Sequence, residues 1–236
     1  MIALSLDDDG VATVTLDRAA ARNALPTTAW RTLAQIVADV PDTARVLVIA
    51  SRVPGIFSAG ADLADLARLV EDVPARAAFR CAMAAAMEAI RARAMPVVAW
   101  VDGGCFGAGV ALALACDLIV ASPAAHFAIP PARLGIGYPA PDVARLAARL
   151  GQGQAARLLF TAAPIDAGEA WRIGLVDMIA DGADIARSIA QNDAAALRLL
   201  KRTLRDASAP ALNDAFESSF SSPAFAAGVA RYRRTP

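Results

Sequence analysis

Residues 97–117 read Val-Val-Ala-Trp-Val-Asp-Gly-Gly-Cys-Phe-Gly-Ala-Gly-Val-Ala-Leu-Ala-Leu-Ala-Cys-Asp, and this stretch decides the fold. Its first five residues predict a buried β-strand, and Gly107–Ala115 predicts a short, wholly apolar helix that must be covered on every side. The stretch is about as long as the ~20 residues of a membrane span. However, Asp102 and the glycines that follow it would be costly in lipid. A strand, a tight loop and a buried helix explain the same letters, so we expect no membrane span.

The same pattern extends to both sides. Val46–Ala50 and Leu118–Ala121 are also short, β-branched and apolar, and helical stretches, of which Ala75–Ala94 is the longest, separate the strands. Alternating strands and helices predict right-handed crossovers and an α/β fold with a mainly parallel sheet. Ile2–Leu6 and Val11–Leu16 flank an Asp-Asp-Gly turn and predict an opening hairpin. From residue 142 onward the pattern is mostly helical, with a possible strand at residues 176–179.

Composition narrows the classes of partner. Hydrophobic residues make up 57% of the 236 residues, and 23 basic residues balance 23 acidic ones. Without a block of like charge, no nucleic acid or anionic membrane surface is expected as a partner. The three cysteines lack metal-ligand spacing, so we expect no metal site and a reducing, cytoplasmic location.

Two glycine-bearing loops carry the candidate chemistry. The first runs from Phe57 to Leu63 (Phe-Ser-Ala-Gly-Ala-Asp-Leu), and the second runs from Asp102 to Gly109. Small side chains before a helix leave backbone N–H groups open to an oxygen that gains negative charge. Two such turns that face each other would make an oxyanion hole.

Together these blocks resemble the crotonase superfamily, the enoyl-CoA hydratase/isomerase family, in the family's order along nearly the whole chain. The matching blocks are Leu16–Arg18 with Arg22–Leu25, Phe57–Leu63, Val101–Asp117 and Ala167–Val176. The resemblance implies a ββα-superhelix core at 1–195 that binds acyl-CoA and a helical C-terminal trimerisation region at 196–236. It also implies homotrimers or hexamers and a CoA thioester substrate, with no cofactor beyond the coenzyme A in that substrate.

The resemblance also implies the site residues. It places the thioester carbonyl between the backbone N–H groups of Ala59 and Ala108, which would stabilise an enolate. The implied substrate-binding residues are Arg22, Ala24, Leu25, Ala59, Gly60, Ala61, Asp62, Leu63 and Ala108. Because the family usually has glycine at position 108, the added methyl is expected to narrow the hole if the backbone there is unusual.

Both glutamates that the family's hydratases use are replaced. By position they correspond to Ala111 and Pro131, and neither side chain can move a proton. Little or no ordinary hydration is therefore expected. Asp142 is the candidate substitute acid or base, although Pro-Asp before a helical run favours a helix N-cap. The lone histidine, His126, is expected at the surface, and no nucleophile triad is evident.

Other classes of function remain to be weighed. A dinucleotide-dependent oxidoreductase is disfavoured, because the glycines around residue 105 do not form G-x-G-x-x-G and lie in mid-chain. A noncatalytic protein that keeps the fold and the CoA site stays open as the alternative. We also expect oligomerisation, because Ala209–Arg234 carries apolar residues that little remaining chain can cover. These are Leu212, Phe216, Phe220, Phe225 and Tyr232.

Overall fold

The structure is a computed structural model and describes residues 1–232, with side chains to residue 231. The strands are β1 (Ile2–Leu6), β2 (Val11–Leu16), β3 (Val46–Ser51), β4 (Ile56–Ser58), β5 (Val97–Val101), β6 (Gly104–Phe106), β7 (Leu118–Ala121), β8 (His126–Ala128), β9 (Ile165–Asp166) and β10 (Met178–Ile179). The helices are α1 (Thr27–Ala38), α2 (Leu63–Arg68), α3 (Val73–Ala92), α4 (Ala108–Leu114), α5 (Ala140–Thr161), α6 (Ala167–Arg172), α7 (Gly182–Ala190), α8 (Ala194–Arg205), α9 (Ala211–Ser219) and α10 (Pro223–Tyr232). Short 3₁₀ turns lie at Ala19–Ala21 and Pro131–Leu134.

The larger sheet has the order β1-β2-β3-β5-β7-β10. Its pairs are parallel except for the β1–β2 hairpin. Strand β3 is buried along nearly its whole length, as expected of a strand covered by helices on both faces. The predicted α/β class, the opening hairpin and the mainly parallel sheet are therefore confirmed.

A second sheet, of order β4-β6-β8-β9, was missed from the sequence. Strand β4 runs into the first glycine loop and β6 lies inside the second, and each strand is three residues long. So short a run carries no readable alternation, which is why the pattern did not reveal it. In each repeat the chain forms a strand of the larger sheet, then a strand of the smaller sheet, and then a helix. This repeat, seen in β3-β4-α2 and β5-β6-α4, is the implied ββα superhelix.

The core fills the space between the two sheets and the helices. Its largest fully buried side chains include Trp30 of α1, Phe57 of β4 and Phe127 of β8. Helix α7 covers the opposite face of the larger sheet, where a Cβ on Gly182 would lie 2.2 Å from Trp100 Cγ. Only a residue without a side chain lets this helix approach so closely.

The later helices depart from prediction in detail. Helix α5 begins at Ala140, two residues before the predicted helical region, and it is interrupted at Gly151, whose φ of 76° is not helical. The possible strand at 176–179 shortens to Met178–Ile179, which pairs in parallel with β7.

The C-terminal helices leave an aromatic surface exposed. The rings of Phe216 and Phe225 pack edge-on against Phe220 at 5.1 and 5.2 Å, and all three residues are about half exposed. Leu212 is buried instead. The side chain of Tyr232 and residues 233–236 lie outside the described part of the chain. Trimerisation through this region stays a prediction, as does the division at residue 195.

Within residues 1–232, no helix has the length and apolar character that a membrane crossing requires.

Candidate active site

The two glycine loops lie side by side, because β4 and β6, which form part of them, are parallel neighbours in the smaller sheet. A Cβ on Gly60 would lie 2.5 Å from the Phe106 carbonyl oxygen and 2.7 Å from the Ala108 nitrogen. On the other loop, a Cβ on Gly109 would lie 2.8 Å from the Ser58 carbonyl oxygen. The two backbones thus touch, and glycine on each side permits that approach.

The first predicted donor is wrong in detail. The Ala59 N–H donates to the carbonyl oxygen of Arg22 at 2.9 Å, so it is taken up inside the protein. The backbone around residue 61 forms a parallel bridge with Leu25, in which Leu25 N–H donates to Gly60 O and Asp62 N–H donates to Leu25 O. Successive N–H groups of extended backbone point to opposite sides. The Ala61 N–H therefore points away from Leu25, and it makes no hydrogen bond to any described residue. The available donor in this loop is that of Ala61.

The second predicted donor is the N–H of Ala108, and its role in an oxyanion hole stays a prediction. Ala108 is the first residue of α4, where N–H groups have no acceptor inside the helix. The unusual dihedrals fall on the preceding residue, Gly107, with φ 52° and ψ −121°. Ala108 itself does not have a positive φ. The expected strain from an alanine at 108 is therefore absent.

The segment at 22–25 supports the first loop through backbone contacts. Arg22 and Asn23 both adopt left-handed backbone, with φ of 52° and 56°. Fully buried Asn23 accepts the Arg18 N–H at 2.7 Å through Oδ1 and donates to Phe57 O at 3.0 Å through Nδ2. Sequence reasoning did not assign Asn23 a role. The residue type could have indicated a structural role, because asparagine tolerates left-handed backbone better than most residues.

The predicted substrate-binding side chains are not all accessible. Ala24 and Leu25 are buried, whereas Arg22 is exposed with its guanidinium 5.9 Å from the Phe106 ring centre. Leu63 is 64% exposed at the start of α2. The structure thus brings the residues of 22–25 and 59–63 together, mainly through their backbone.

Asp62 is a structural carboxylate. It is the N-cap of α2 and accepts N–H bonds from Ala64 and Asp65 at 2.8 and 3.2 Å. It also pairs with Arg18. The hydrogen bond from Arg18 is the main reason that the pKa of Asp62 is lowered. Asp62 remains ionised and holds the loop in place.

Asp142 lies in the first turn of α5 and does not cap it, so the favoured N-cap interpretation is wrong. The N-cap is Pro139, and the 3% exposed Asp142 pairs with Arg145. Burial raises the pKa of Asp142, and the Arg145 pair partly opposes this. A cavity of about 260 Å³ opens beside Asp142 between α3 and α5. A buried carboxyl group with a raised pKa next to a cavity has the properties of an acid or base.

Other candidate groups are unsuited to catalysis. Ser58 is buried, donates to Asn23 O and accepts the Gly60 N–H. Burial raises the pKa values of the Cys105 and Cys116 thiols. His126 is exposed, as predicted.

The two positions that the resemblance assigns to glutamate hold no titratable group. Ala111 is fully buried in α4, and Pro131 begins the second 3₁₀ turn. Within residues 1–232, no group of three or more acidic, histidine or cysteine side chains is placed to hold a metal ion.

The fold is a ββα spiral with mainly parallel strands. Two of its adjacent loops present backbone N–H groups that make no hydrogen bond within residues 1–232. Together these features define the class of protein. The family model described as enoyl-CoA hydratase/isomerase matches residues 7–225. The chain belongs to this family.

Its relatives are similar along most of their length. A short-chain-enoyl-CoA hydratase from Clostridium acetobutylicum is 31% identical over 209 residues, covering 84% of this chain and 79% of the relative. The crystal structure of an enoyl-CoA hydratase from Bacillus anthracis superimposes with a TM-score of 0.89 at 26% identity, covering 100% of this chain and 97% of that one. Human enoyl coenzyme A hydratase domain-containing protein 3 gives a TM-score of 0.86 at 26% identity, covering 100% and 98%.

Proposed function

We propose that this protein binds an acyl-CoA thioester and receives its carbonyl oxygen between the backbone N–H groups of Ala61 and Ala108. One observation carries the proposal: two N–H groups that make no hydrogen bond within residues 1–232 lie where the loops touch at Gly60. Buried backbone donors are almost always paired, so two neighbouring donors without a partner are typical of a ligand site. The relatives' names, which refer to enoyl-CoA, support the thioester as the ligand.

The two donors would stabilise an enolate. Negative charge grows on the thioester oxygen as a bond forms or breaks next to the carbonyl, and donors already in place need no reorganisation. Removal of one such donor costs about 10²- to 10³-fold in rate in other enzymes. The only cofactor that this proposal requires is the coenzyme A carried by the substrate.

The reaction class proposed is that of a lyase or isomerase acting on CoA thioesters. Ordinary hydration needs a group that activates water, and Ala111 and Pro131 do not provide one. Enolate reactions such as isomerisation or decarboxylation demand less from side chains. Asp142 is the proposed acid or base, because it is a buried carboxyl group with a raised pKa, and its charge acts on Tyr138, which contacts the second loop.

A noncatalytic CoA-binding or assembly protein is the second candidate function. The observation in its favour is the absence of a titratable side chain at both positions 111 and 131. Such a protein would keep the hole for binding alone.

Calorimetric titration with butyryl-CoA and with S-butyl-CoA tests the binding proposal, because the two ligands differ only in the thioester carbonyl. We expect butyryl-CoA to bind more tightly, and we expect the infrared carbonyl stretch of its ¹³C-labelled thioester to move to lower frequency when bound. Equal affinity for the two ligands, with no shift of the stretch, would refute the oxyanion hole. Turnover of a panel of acyl-CoA thioesters then separates the enzyme from the noncatalytic alternative.

A further inference from the structure

The side chain of Tyr138 reaches the second loop from the segment that precedes α5. Its hydroxyl donates a hydrogen bond of 2.9 Å to the carbonyl oxygen of Gly107. The Ala111 N–H faces the same phenol oxygen. Tyr138 therefore contacts the first turn of α4 at the residue just before the second proposed donor.

Gly107 O and the Ala108 N–H are the two ends of one planar peptide group. Their directions are locked together, so whatever orients the Gly107 carbonyl also orients the Ala108 N–H. A hydrogen bond accepted by that carbonyl also polarises the group and makes its N–H a stronger donor, by ~10–30%.

Packing holds this peptide group on one side only: Gly60 lies against the Ala108 nitrogen, whereas the Gly107 side is open. A Cβ built on Gly107 would meet nothing closer than Pro130 Cδ at 4.0 Å, and the φ of 52° is one that glycine adopts without strain. Hydrogen bonds also hold it. The Gly107 N–H donates to Ala128 O at 2.9 Å, and its carbonyl accepts from the Val110 N–H at 2.9 Å as well as from Tyr138. Of these contacts to Gly107, the bond from Tyr138 is the one made by a side chain.

We propose that Tyr138 is a positioning residue for the oxyanion hole, and that its hydroxyl orients and polarises the Gly107–Ala108 peptide so that the Ala108 N–H points at the ligand carbonyl. This inference rests on the proposed function, because it needs a thioester carbonyl in the hole. It concerns a side chain that need not touch the substrate.

The phenol stays protonated, as a donor must. Burial raises the pKa of Tyr138 well above its ordinary value, with contributions from the Asp142 carboxylate and the Cys105 thiol, while the Ala111 N–H and Arg145 oppose them. A phenol with a raised pKa is a poor general base at neutral pH. The contribution of Tyr138 is therefore expected to be independent of pH across the neutral range.

Tyr138→Phe is the decisive variant, because it removes the hydroxyl and keeps the ring. The infrared thioester carbonyl stretch of bound ¹³C-labelled butyryl-CoA is expected to shift less in this variant than in the wild type. The affinity for free coenzyme A, which lacks the thioester carbonyl, should stay within about two-fold. If a substrate is turned over, we expect kcat to fall about 3- to 10-fold, with little change in KM and no new pH dependence.

Thr203→Val is the matched control. It deletes an exposed hydroxyl that donates to a helix carbonyl, Leu199 O at 3.0 Å, in α8. Thr203→Val should leave the infrared carbonyl stretch of bound butyryl-CoA and kcat unchanged.

A second probe does not depend on the folding of a variant. The sequence contains two tyrosines, and replacing them biosynthetically with 3-fluorotyrosine, a stronger donor, should increase the shift of the stretch. In ligand-free protein, the amide proton signal of Ala108 should also move upfield in Tyr138→Phe, and this readout does not depend on the proposed function.

The outcomes separate the two proposals. If the wild type shifts the stretch and Tyr138→Phe shifts it equally, with an unmoved Ala108 amide signal, the positioning role is wrong and the hole stands. If the wild type binds the thioester without any shift, the hole itself fails and the inference fails with it. A change in the pH profile of kcat in Tyr138→Phe would overturn the positioning role in favour of proton transfer.

Discussion

Gly60 lies directly against the amide of Ala108, so that a Cβ on Gly60 would be 2.7 Å from the Ala108 nitrogen. Gly60 also has a φ of +90°. Position 60, next to both proposed donors, therefore requires glycine for two independent reasons: a side chain would clash with the Ala108 amide, and the backbone has a positive φ.

Gly60→Ala should therefore disrupt the hole. The new methyl meets backbone atoms that cannot rotate away, in addition to a left-handed strain of about 1–2 kcal/mol. We expect a loss of butyryl-CoA affinity and of the infrared shift, together with lower stability in urea. Gly55→Ala is the matched control, because Gly55 has a φ of +71° but nothing within 4 Å. It should cost stability by strain alone and keep thioester binding. Equal binding by both variants would show that the contact at residue 60 is unimportant.

Hydration of crotonyl-CoA by the wild type should be very slow or absent. Restoring both glutamates, Ala111→Glu with Pro131→Glu, should raise it, since acid–base groups contribute about 100- to 10,000-fold. The structure adds a condition: Ala111 is fully buried and the Tyr138 oxygen lies against its N–H. We therefore expect the gain to be clearest when Tyr138→Ala makes room, even though this change removes the packing of the ring together with one hydrogen bond.

The same triple variant with glutamine at 111 and 131 is the control, and it should stay inactive. Brisk hydration by the unmodified protein would contradict this prediction. In that case Asp142→Asn would be the first variant to assay.

The free energy of unfolding should depend on pH through the protonation of Asp142. Because burial raises its pKa above the ordinary 3.8, the folded state binds this proton more tightly than the unfolded state does. The stabilising contribution is then present below the unfolded pKa and is lost as pH rises through the folded pKa. Relative to Asp142→Asn, the wild type should lose unfolding free energy in urea titrations as pH rises above 3.8.

Asp8→Asn neutralises an exposed carboxylate in the turn between β1 and β2, and it controls for the loss of one charge. The opposite trend, a wild-type advantage that grows with pH, would mean that the Arg145 pair outweighs burial.

Lys201 should anchor α8 to the larger sheet. This 6% exposed lysine donates to Met95 O at 2.7 Å and pairs with Asp117, which in turn accepts the Val97 N–H at 2.7 Å. Lys201→Met keeps the aliphatic stem but removes these bonds, so we expect a loss of about 1.5–3 kcal/mol in unfolding free energy. Arg202→Met, at an exposed neighbour, should cost far less. A Lys201→Met protein as stable as the wild type would show that the bonds contribute nothing.

Light scattering should find trimers or hexamers at micromolar concentration. The exposed rings of Phe216, Phe220 and Phe225 form a contiguous apolar surface of the kind that marks interfaces. Phe220→Glu, at the centre of that surface, should lower the oligomeric state, whereas Val70→Glu, at another exposed apolar residue, should not. A monomeric wild type would refute the prediction.

Much of the fold was predictable because it depends on local pattern. The predicted strands at 97–101 and 118–121 match β5 and β7, since a short apolar run with β-branched residues that is bounded by turn-forming residues is typical of a buried strand. The smaller sheet was not predictable in this way. Its three-residue strands β4 and β6 exist only because the larger sheet places them side by side.

By itself, the sequence determined the order of strands and helices, the two glycine loops and the lack of glutamate at 111 and 131. Only the tertiary structure decided which backbone donors are free. Arg22 O takes the Ala59 N–H, whereas the bridge to Leu25 leaves the Ala61 N–H pointing to the other side. It also decided that Tyr138 holds the Gly107 carbonyl. The physical reason is that a loop's hydrogen bonds are made with segments distant in the chain, so the letters of the loop do not reveal which N–H remains for a ligand.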